Sequence, residues 1–409
     1  VLQIPQLHTW WTSRSRWEQI AVIVWTVVLL VVSVRVAGWP MSRTVYPIFS
    51  ASAQLWWSGA DLYEPYRPLA VQGGYRYSPT FAILITPFAY FPDSVGGVIW
   101  RLISSLAFLG SLAWLARSVL SWPLSRDQFA WLTLLCVPLA LQSVNNGQAN
   151  VIVIAAMLAA VCACQEQRWN FASALLTLAF VCKVYPIALA MLLVVLYPRQ
   201  LSWRLPLALV SSLLVPFLGP DPSYVNDQYG KWIALLRADD RSAFPLADKH
   251  RDLWLLIEVY GIPLNRRIYT LLQIGGGLGI AVLCWRRQRQ GWPKKALLTA
   301  TLGLAVAWMM VLGPVVESST FLLLAPSLAA SIVGALQDRR WHWRTLLLAG
   351  SGILFLAAVL LGGVANTAKL HVVGIHPLAS LLYFVYLLTE SRPSEIQSAQ
   401  QPIEWRNAA

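Results

Sequence analysis

Charge is scarce in this chain. Only 12% of its 409 residues are Asp, Glu, Lys or Arg, and 18 are acidic, while 57% are hydrophobic. Soluble domains carry roughly 25% charged residues, so this composition excludes an ordinary soluble protein and indicates one that lives in a bilayer. Cysteine is also sparse. The five thiols, Cys136, Cys162, Cys164, Cys182 and Cys284, all fall in or beside apolar runs, and no CxxC pair occurs. Cys162 and Cys164 would point apart on a helix, so a disulfide framework and a thiolate metal site are both excluded and buried free thiols are expected. The five His form no HxxxH pair, so no metal site is indicated and no cofactor is expected. Gly275-Gly276-Gly277 sits in an apolar run without GxGxxG, which rejects a dinucleotide site. Neither a low-complexity segment nor a clear internal repeat is present.

The net charge of +13 would suggest nucleic acid in a soluble protein. Here the basic residues gather in short stretches between apolar runs, which is a topological signal, so no nucleic-acid partner is expected. Apolar runs lie near 19–37, 95–117, 129–144, 149–165, 170–185, 187–198, 205–219, 268–285, 296–312, 321–336, 345–362 and 372–389. A span needs about 20 residues, so the expectation is an all-α polytopic bundle of about 11–13 spans. One domain covers 1–390, with larger outer loops at about 38–94 and 220–267, and a polar tail at 391–409 is expected to be disordered in the cytoplasm. The first run reads as an anchor, not a signal peptide.

Charge tests the layout. The short stretch 77–92 carries Pro79, Pro87 and Pro92. If it is re-entrant, the clusters Arg14/Arg16, Arg117/Arg126, Arg168, Arg199/Arg204, Arg286–Lys295 and Arg339–Arg344 all fall on one side with both termini. The positive-inside rule makes that side the cytoplasm. The other weak point is Tyr185-Pro186, where 170–198 reads either as two spans or as one kinked helix. A break at membrane depth must face protein or a wet cavity, because lipid cannot satisfy freed backbone groups.

The polar residues that could carry chemistry then share the outer face. The first loop offers Asp61, Tyr63, Glu64, Tyr75, Arg76 and Tyr77. A carboxylate there can serve as a base, while the competing reading of Gly-Ala-Asp is a turn. The turn Asn145–Asn150 supplies amides suited to sugar hydroxyls in Asn146, Gln148 and Asn150, or caps a helix through Gly147. Lys183 lies within an apolar run beside Tyr185, and would either hold a phosphate as a point charge or snorkel to the interface. Arg101, near the start of its run, reads as an interfacial or packing residue. The second loop ends in Lys249, His250, Arg251 and Asp252, an anion clamp or a solvated stretch. Most of the 21 Trp are expected in an interfacial belt.

Several motifs occur in a fixed order: Gly59-Ala60-Asp61-Leu62-Tyr63, Tyr75-Arg76-Tyr77-Ser78-Pro79, Pro87-Phe88-Ala89-Tyr90-Phe91-Pro92, Asn146-Gly147-Gln148-Ala149-Asn150 and Lys183-Val184-Tyr185-Pro186. Together they resemble glycosyltransferase family 87, and the resemblance runs from about 50 to 200. Gly313-Pro314-Val315-Val316-Glu317 only echoes a later family turn. The resemblance implies a GT-C fold with an extracytoplasmic active site. It implies a polyprenyl-phosphate sugar donor, usually of mannose, and a lipid-linked or glycan acceptor, with α-mannosyl transfer; a lipid monophosphate carries less charge than a nucleotide diphosphate, so no metal is demanded. Asp61 matches the family's first-loop acid, the expected general base. Some members carry a His in the late turn, where this chain has Glu317-Ser318-Ser319-Thr320, so the acceptor side departs from the pattern. The alternatives are a prenyl-linked glycan ligase or polymerase with Arg and His on a large loop, and a lipid or sugar transporter. A transporter should show repeat symmetry, which is missing here.

Overall fold

A computed structural model of the protein describes residues 11–64, 74–238, 249–313, 316–337, 342–364 and 374–391. Regular structure among the described residues is helical throughout. Numbered in chain order, the helices that position the site are α1 (Arg16–Gly38), α2 (Tyr46–Ser58), α3 (Pro79–Ala89), α4 (Asp93–Ser118), α5 (Arg126–Asn146), α6 (Asn150–Gln165), α7 (Trp169–Cys182) and α8 (Ile187–Leu196). The chain continues through short α9 (Pro198–Leu201), α10 (Arg204–Leu214), α11 (Pro222–Ala238), α12 (Leu253–Val259), α13 (Arg266–Arg289) and α14 (Lys294–Leu312). A 3₁₀ turn, Ser318–Leu324, leads into α15 (Ala325–Gln337), and α16 (Trp343–Val364) and α17 (Ile375–Leu388) complete the bundle.

Local chemistry sets these ends. Ser15 and Ser125 each form a capping box, with Glu18 and Gln128, so the freed N–H groups at the start of α1 and α5 are satisfied. Ser78 caps α3, and Pro79 occupies the first helical position, where no donor is needed. Gly59 and Gly147 end α2 and α5 in the left-handed region at φ 72° and 66°.

Among the described residues, eight helical segments are long and apolar enough to cross a bilayer. The chain is an all-α polytopic membrane protein. Of five shorter apolar helices among the described residues, α6, α7, α8 and α17 pack against the long ones. Basic side chains mark one end. There Lys294 Nζ donates to the Gln165 carbonyl at 2.9 Å and lies over the rings of Trp169 and Tyr197. Those rings, at the start of α7 and just past the end of α8, stand 5.0 Å apart. The chain between them therefore runs up and doubles back, with Lys183–Pro186 at the tip. The two-helix reading of 170–198 holds, and the single kinked helix does not.

Residues 77–92 do not cross. Helix α3 has 11 residues, about 16 Å of rise against a hydrocarbon core of about 30 Å. It pairs with α2, and both ends of this hairpin sit at the same end of the bundle. Val45 N–H donates to the Asn146 carbonyl at 2.9 Å, Tyr46 Oη reaches the Phe88 carbonyl at 3.0 Å, and Ser50 Oγ reaches Asp93 at 2.6 Å. The expected outer loops need correcting in one respect. The first contains α2 and α3, and the second contains α11 and α12. Helix α2 forms because it has a face to bury, with Phe49, Ala53 and Trp56 inaccessible to solvent. The tail beyond residue 391 lies outside the described residues.

The end opposite the basic one is tied together by Arg101, which is 2% exposed. Its guanidinium donates to the carbonyls of Gly97, Val144 and Asn145 and to Thr44 Oγ1, at 2.7–3.1 Å. Arg35 also donates to Asn145, and Trp100 Nε1 donates to Gly147. The exposed carbonyls at the C-terminus of α5 are thus met by cations, which suits the negative end of the helix dipole. Arg101 is thus a helix-packing residue.

Gly147 is the weak joint of this arrangement. A Cβ there would lie 2.8 Å from Arg101 Cζ, and its φ of +66° disfavours any L side chain. Gly147→Ala is expected to cost about 1–3 kcal/mol, read as a lower thermal unfolding midpoint in detergent. An unchanged midpoint would show that Arg101 is not the clamp described.

Candidate functional site

The candidate site gathers where the hairpin α2–α3, the tip between α7 and α8, the turn before α6 and helix α11 meet. Asp61 follows the left-handed Gly59 and faces α11. Its Oδ1 accepts the Tyr63 N–H at 2.9 Å and its Oδ2 meets Lys231 Nζ at 2.8 Å. Lys231 Nζ also meets Asp227 at 2.6 Å. Partial burial raises the Asp61 pKa, but hydrogen bonds from Lys231 and from the Tyr63 and Glu64 backbone outweigh it and lower the carboxyl below its ordinary value. Asp61 is therefore a carboxylate at neutral pH. Lys231 is held protonated by its two acidic partners.

A continuous set of contacts leads from Asp61 into the bundle. The Tyr63 hydroxyl donates to the Tyr77 carbonyl at 2.8 Å, and the rings of Tyr63, Tyr75 and Tyr77 follow each other at 5.6 and 5.8 Å. Tyr75 is buried and donates to the Ser78 carbonyl, whereas Arg76 is exposed. Lys183 Nζ stands 5.5 Å from the Tyr77 ring and 5.9 Å from the Tyr185 ring. Such placement over π faces stabilises an ammonium withdrawn from bulk water. The Tyr185 hydroxyl donates to Asn150 Oδ1 at 3.0 Å, and Asn150 Nδ2 reaches Ser319 Oγ at 3.4 Å. Glu317 lies at the start of that 3₁₀ turn, close enough for its charge to act on both Tyr77 and Tyr185. Asp61, Tyr63, Tyr75, Tyr77, Lys183, Tyr185, Asn150 and Glu317, separated widely in sequence, thus form one cluster.

The other candidates sit differently. Asn146 spends its carbonyl on Val45 and Thr44, so this part of the turn is a helix end joined to its neighbours. Gln148 is buried beside it. In the second loop Lys249 is paired with Glu258 at 2.5 Å. The Arg251 N–H donates to the Val316 carbonyl, which ties His250 and Arg251 to the turn bearing Glu317.

Helix α11 was missed in sequence. Tyr224, Gln228 and Lys231 recur at i, i+4 and i+7, which is one face of a helix, and that polar stripe was the available signal. All three reach the Asp61 segment. The Tyr224 hydroxyl donates to the Ala60 carbonyl at 2.7 Å, and the Gln228 side chain accepts the Leu62 N–H at 2.9 Å.

A polytopic helical bundle with a carboxylate, stacked tyrosines and an ammonium at one end is the class that fold and site define. The pattern of glycosyltransferase family 87 matches residues 75–314, more than half of the chain. The chain belongs to that family and is a membrane glycosyltransferase. The match takes in Tyr75–Pro79, Asn146–Asn150 and Lys183–Pro186, while Asp61 and Glu317 lie outside it. No curated protein matches the chain.

Asp252 caps α12 by accepting the Leu255 N–H at 3.2 Å. Burial pushes its carboxyl up to about 6, against the lowering effect of the Leu255 N–H and Tyr269. A carboxyl raised on folding contributes stability below its unfolded value of about 3.8, and that contribution is lost as pH rises through 6. Between pH 4 and 7 the wild type should lose about 2 kcal/mol relative to Asp252→Asn, which keeps the cap acceptor but cannot titrate. Parallel unfolding-versus-pH curves for the two proteins would contradict this.

Proposed function

We propose that the protein transfers a hexose, mannose in this reading, from a polyprenyl-phosphate donor to a lipid-linked or glycan acceptor at the extracytoplasmic face, with inversion and with Asp61 as general base. The observation that carries this reading is the contact path from an ionised Asp61 through Tyr63 and Tyr77 to the Lys183 ammonium. It sets a proton acceptor and a cation in one cluster at one end of the bundle.

In the proposed step the acceptor hydroxyl attacks the anomeric carbon and gives its proton to Asp61. The new carbon–oxygen bond forms as the bond to the phosphate oxygen breaks, and the electron pair leaves with the prenyl phosphate. Attack opposite that group inverts the centre, so a β-linked donor gives an α product. Phosphate departs without an acid partner, so the paired carboxylates of glycoside hydrolases are not required. Lys183 is assigned to the departing phosphate charge. The tyrosines supply flat, amphipathic surfaces of the kind that stack on sugar rings. A lipid monophosphate carries less charge than a nucleotide diphosphate, so the scheme includes no metal. In this reading the basic end of the bundle, with both chain termini, faces the cytoplasm.

The test is sugar transfer from radiolabelled polyprenyl-phosphate-mannose by purified protein in lipid. Asp61→Asn should lower kcat at least about 100-fold, with the unfolding midpoint kept. Full activity in that variant would move the base elsewhere, with Glu64 and Glu317 the next carboxylates. Donor binding without transfer in the wild type would indicate another sugar or a missing acceptor.

A further inference from the structure

We propose that Lys231 is a positioning residue for the general base: through Asp227 and helix α11 it fixes the orientation and charge of the Asp61 carboxylate. The inference rests on the reading of Asp61 given above and deepens it.

Three successive residues of the first loop dock on one face of α11. Ala60 is held through its carbonyl by Tyr224, Asp61 through its carboxylate by Lys231, and Leu62 through its N–H by Gln228. An isolated exposed ion pair contributes little and wanders, because ordering two long side chains costs entropy. This pair is not isolated. Gln228 is 1% exposed and its amide also donates to Asp227 at 3.1 Å, which fixes the second carboxylate that holds Lys231. Both Asp61 oxygens are anchored, one by Lys231 and one by the Tyr63 N–H. Each oxygen retains a second lone pair, so anchoring leaves the carboxylate able to take a proton. Asp61, Asp227 and Lys231 together carry one net negative charge, which suits a site that must accept a proton.

Among the described residues, the titratable groups facing Asp61 are Lys231, Asp227 and Tyr224 from α11, and Tyr63 from its own loop. Only Lys231 among them is cationic. Its removal leaves Asp61 beside another carboxylate and favours the protonated form, while removal of Asp227 has the opposite effect.

The experiment compares wild type with Lys231→Met, Lys231→Arg, Asp227→Asn and Asp61→Asn, each checked for an unchanged unfolding midpoint. Transfer from labelled polyprenyl-phosphate-mannose is followed across pH. In parallel, the pH midpoint of Asp61 modification by a carbodiimide is read by mass spectrometry, which needs no donor. Lys231→Met should lower kcat about ten- to a hundredfold with donor KM within about twofold. It should move both the acidic limb of kcat/KM and the modification midpoint to higher pH. Lys231→Arg should restore most of the rate, and Asp227→Asn should move the limb to lower pH. A modification midpoint that ignores Lys231→Met overturns the proposal whatever the activity. So does a Lys231→Met defect confined to donor KM, which would make Lys231 a phosphate ligand. Inactive Asp61→Asn beside a fully active Lys231→Met sinks the positioning role alone, whereas an active Asp61→Asn sinks the reading of the base.

Discussion

The candidate site depends on how the C-terminal end of helix α5 is closed. A helix ends with carbonyls that have lost their partners, and at membrane depth no water or lipid group meets them reliably. Arg101 supplies the missing donors from α4, and Arg35, Thr44 and Trp100 add theirs. The desolvation cost of a guanidinium that is 2% exposed is offset by four hydrogen bonds and by the helix dipole. This one closure fixes the start of α4, the start of the α2–α3 hairpin and the turn into α6. The hairpin then carries the first loop, and with it Asp61, to a defined place.

The second constraint is the break between α7 and α8. Turning the chain within an apolar bundle frees backbone groups, and polar neighbours answer for some of them. The Val181 carbonyl accepts the Ser78 hydroxyl at 2.9 Å, so the same seryl group that caps α3 closes the end of α7. Lys183 and Tyr185 therefore sit against Tyr77 as a consequence of how the turn is satisfied. Polar side chains that serve the backbone and side chains assigned to substrate occupy one small region, which is why a reading based on residue type alone cannot separate them. Ser78 belongs to the first group and Lys183 is proposed for the second, although both are polar residues in motifs of similar appearance.

Much of the bundle was legible in the chain. Long apolar runs give their own spans, because a helix in lipid must satisfy its backbone internally, and the basic clusters gave the parity that made 77–92 a non-crossing segment. Pro186 marked the helix break. Helices α2 and α11 were not legible as helices. Each is interrupted by polar or aromatic residues, and each is held by contacts with its neighbours more than by its own propensity. Lys231 carried no motif and stood within a run that read as a loop.

The sequence by itself determined that this is a polytopic helical membrane protein, where its chain turns, and which family it belongs to, because composition, period and ordered motifs are local properties. Only the tertiary structure decided what Asp61 is paired with. Its partner lies 170 positions further along, on a helix face that meets the first loop only once the α2–α3 hairpin is docked. An ion pair is set by distance in space, and no local pattern encodes a distance between elements so far apart in the chain.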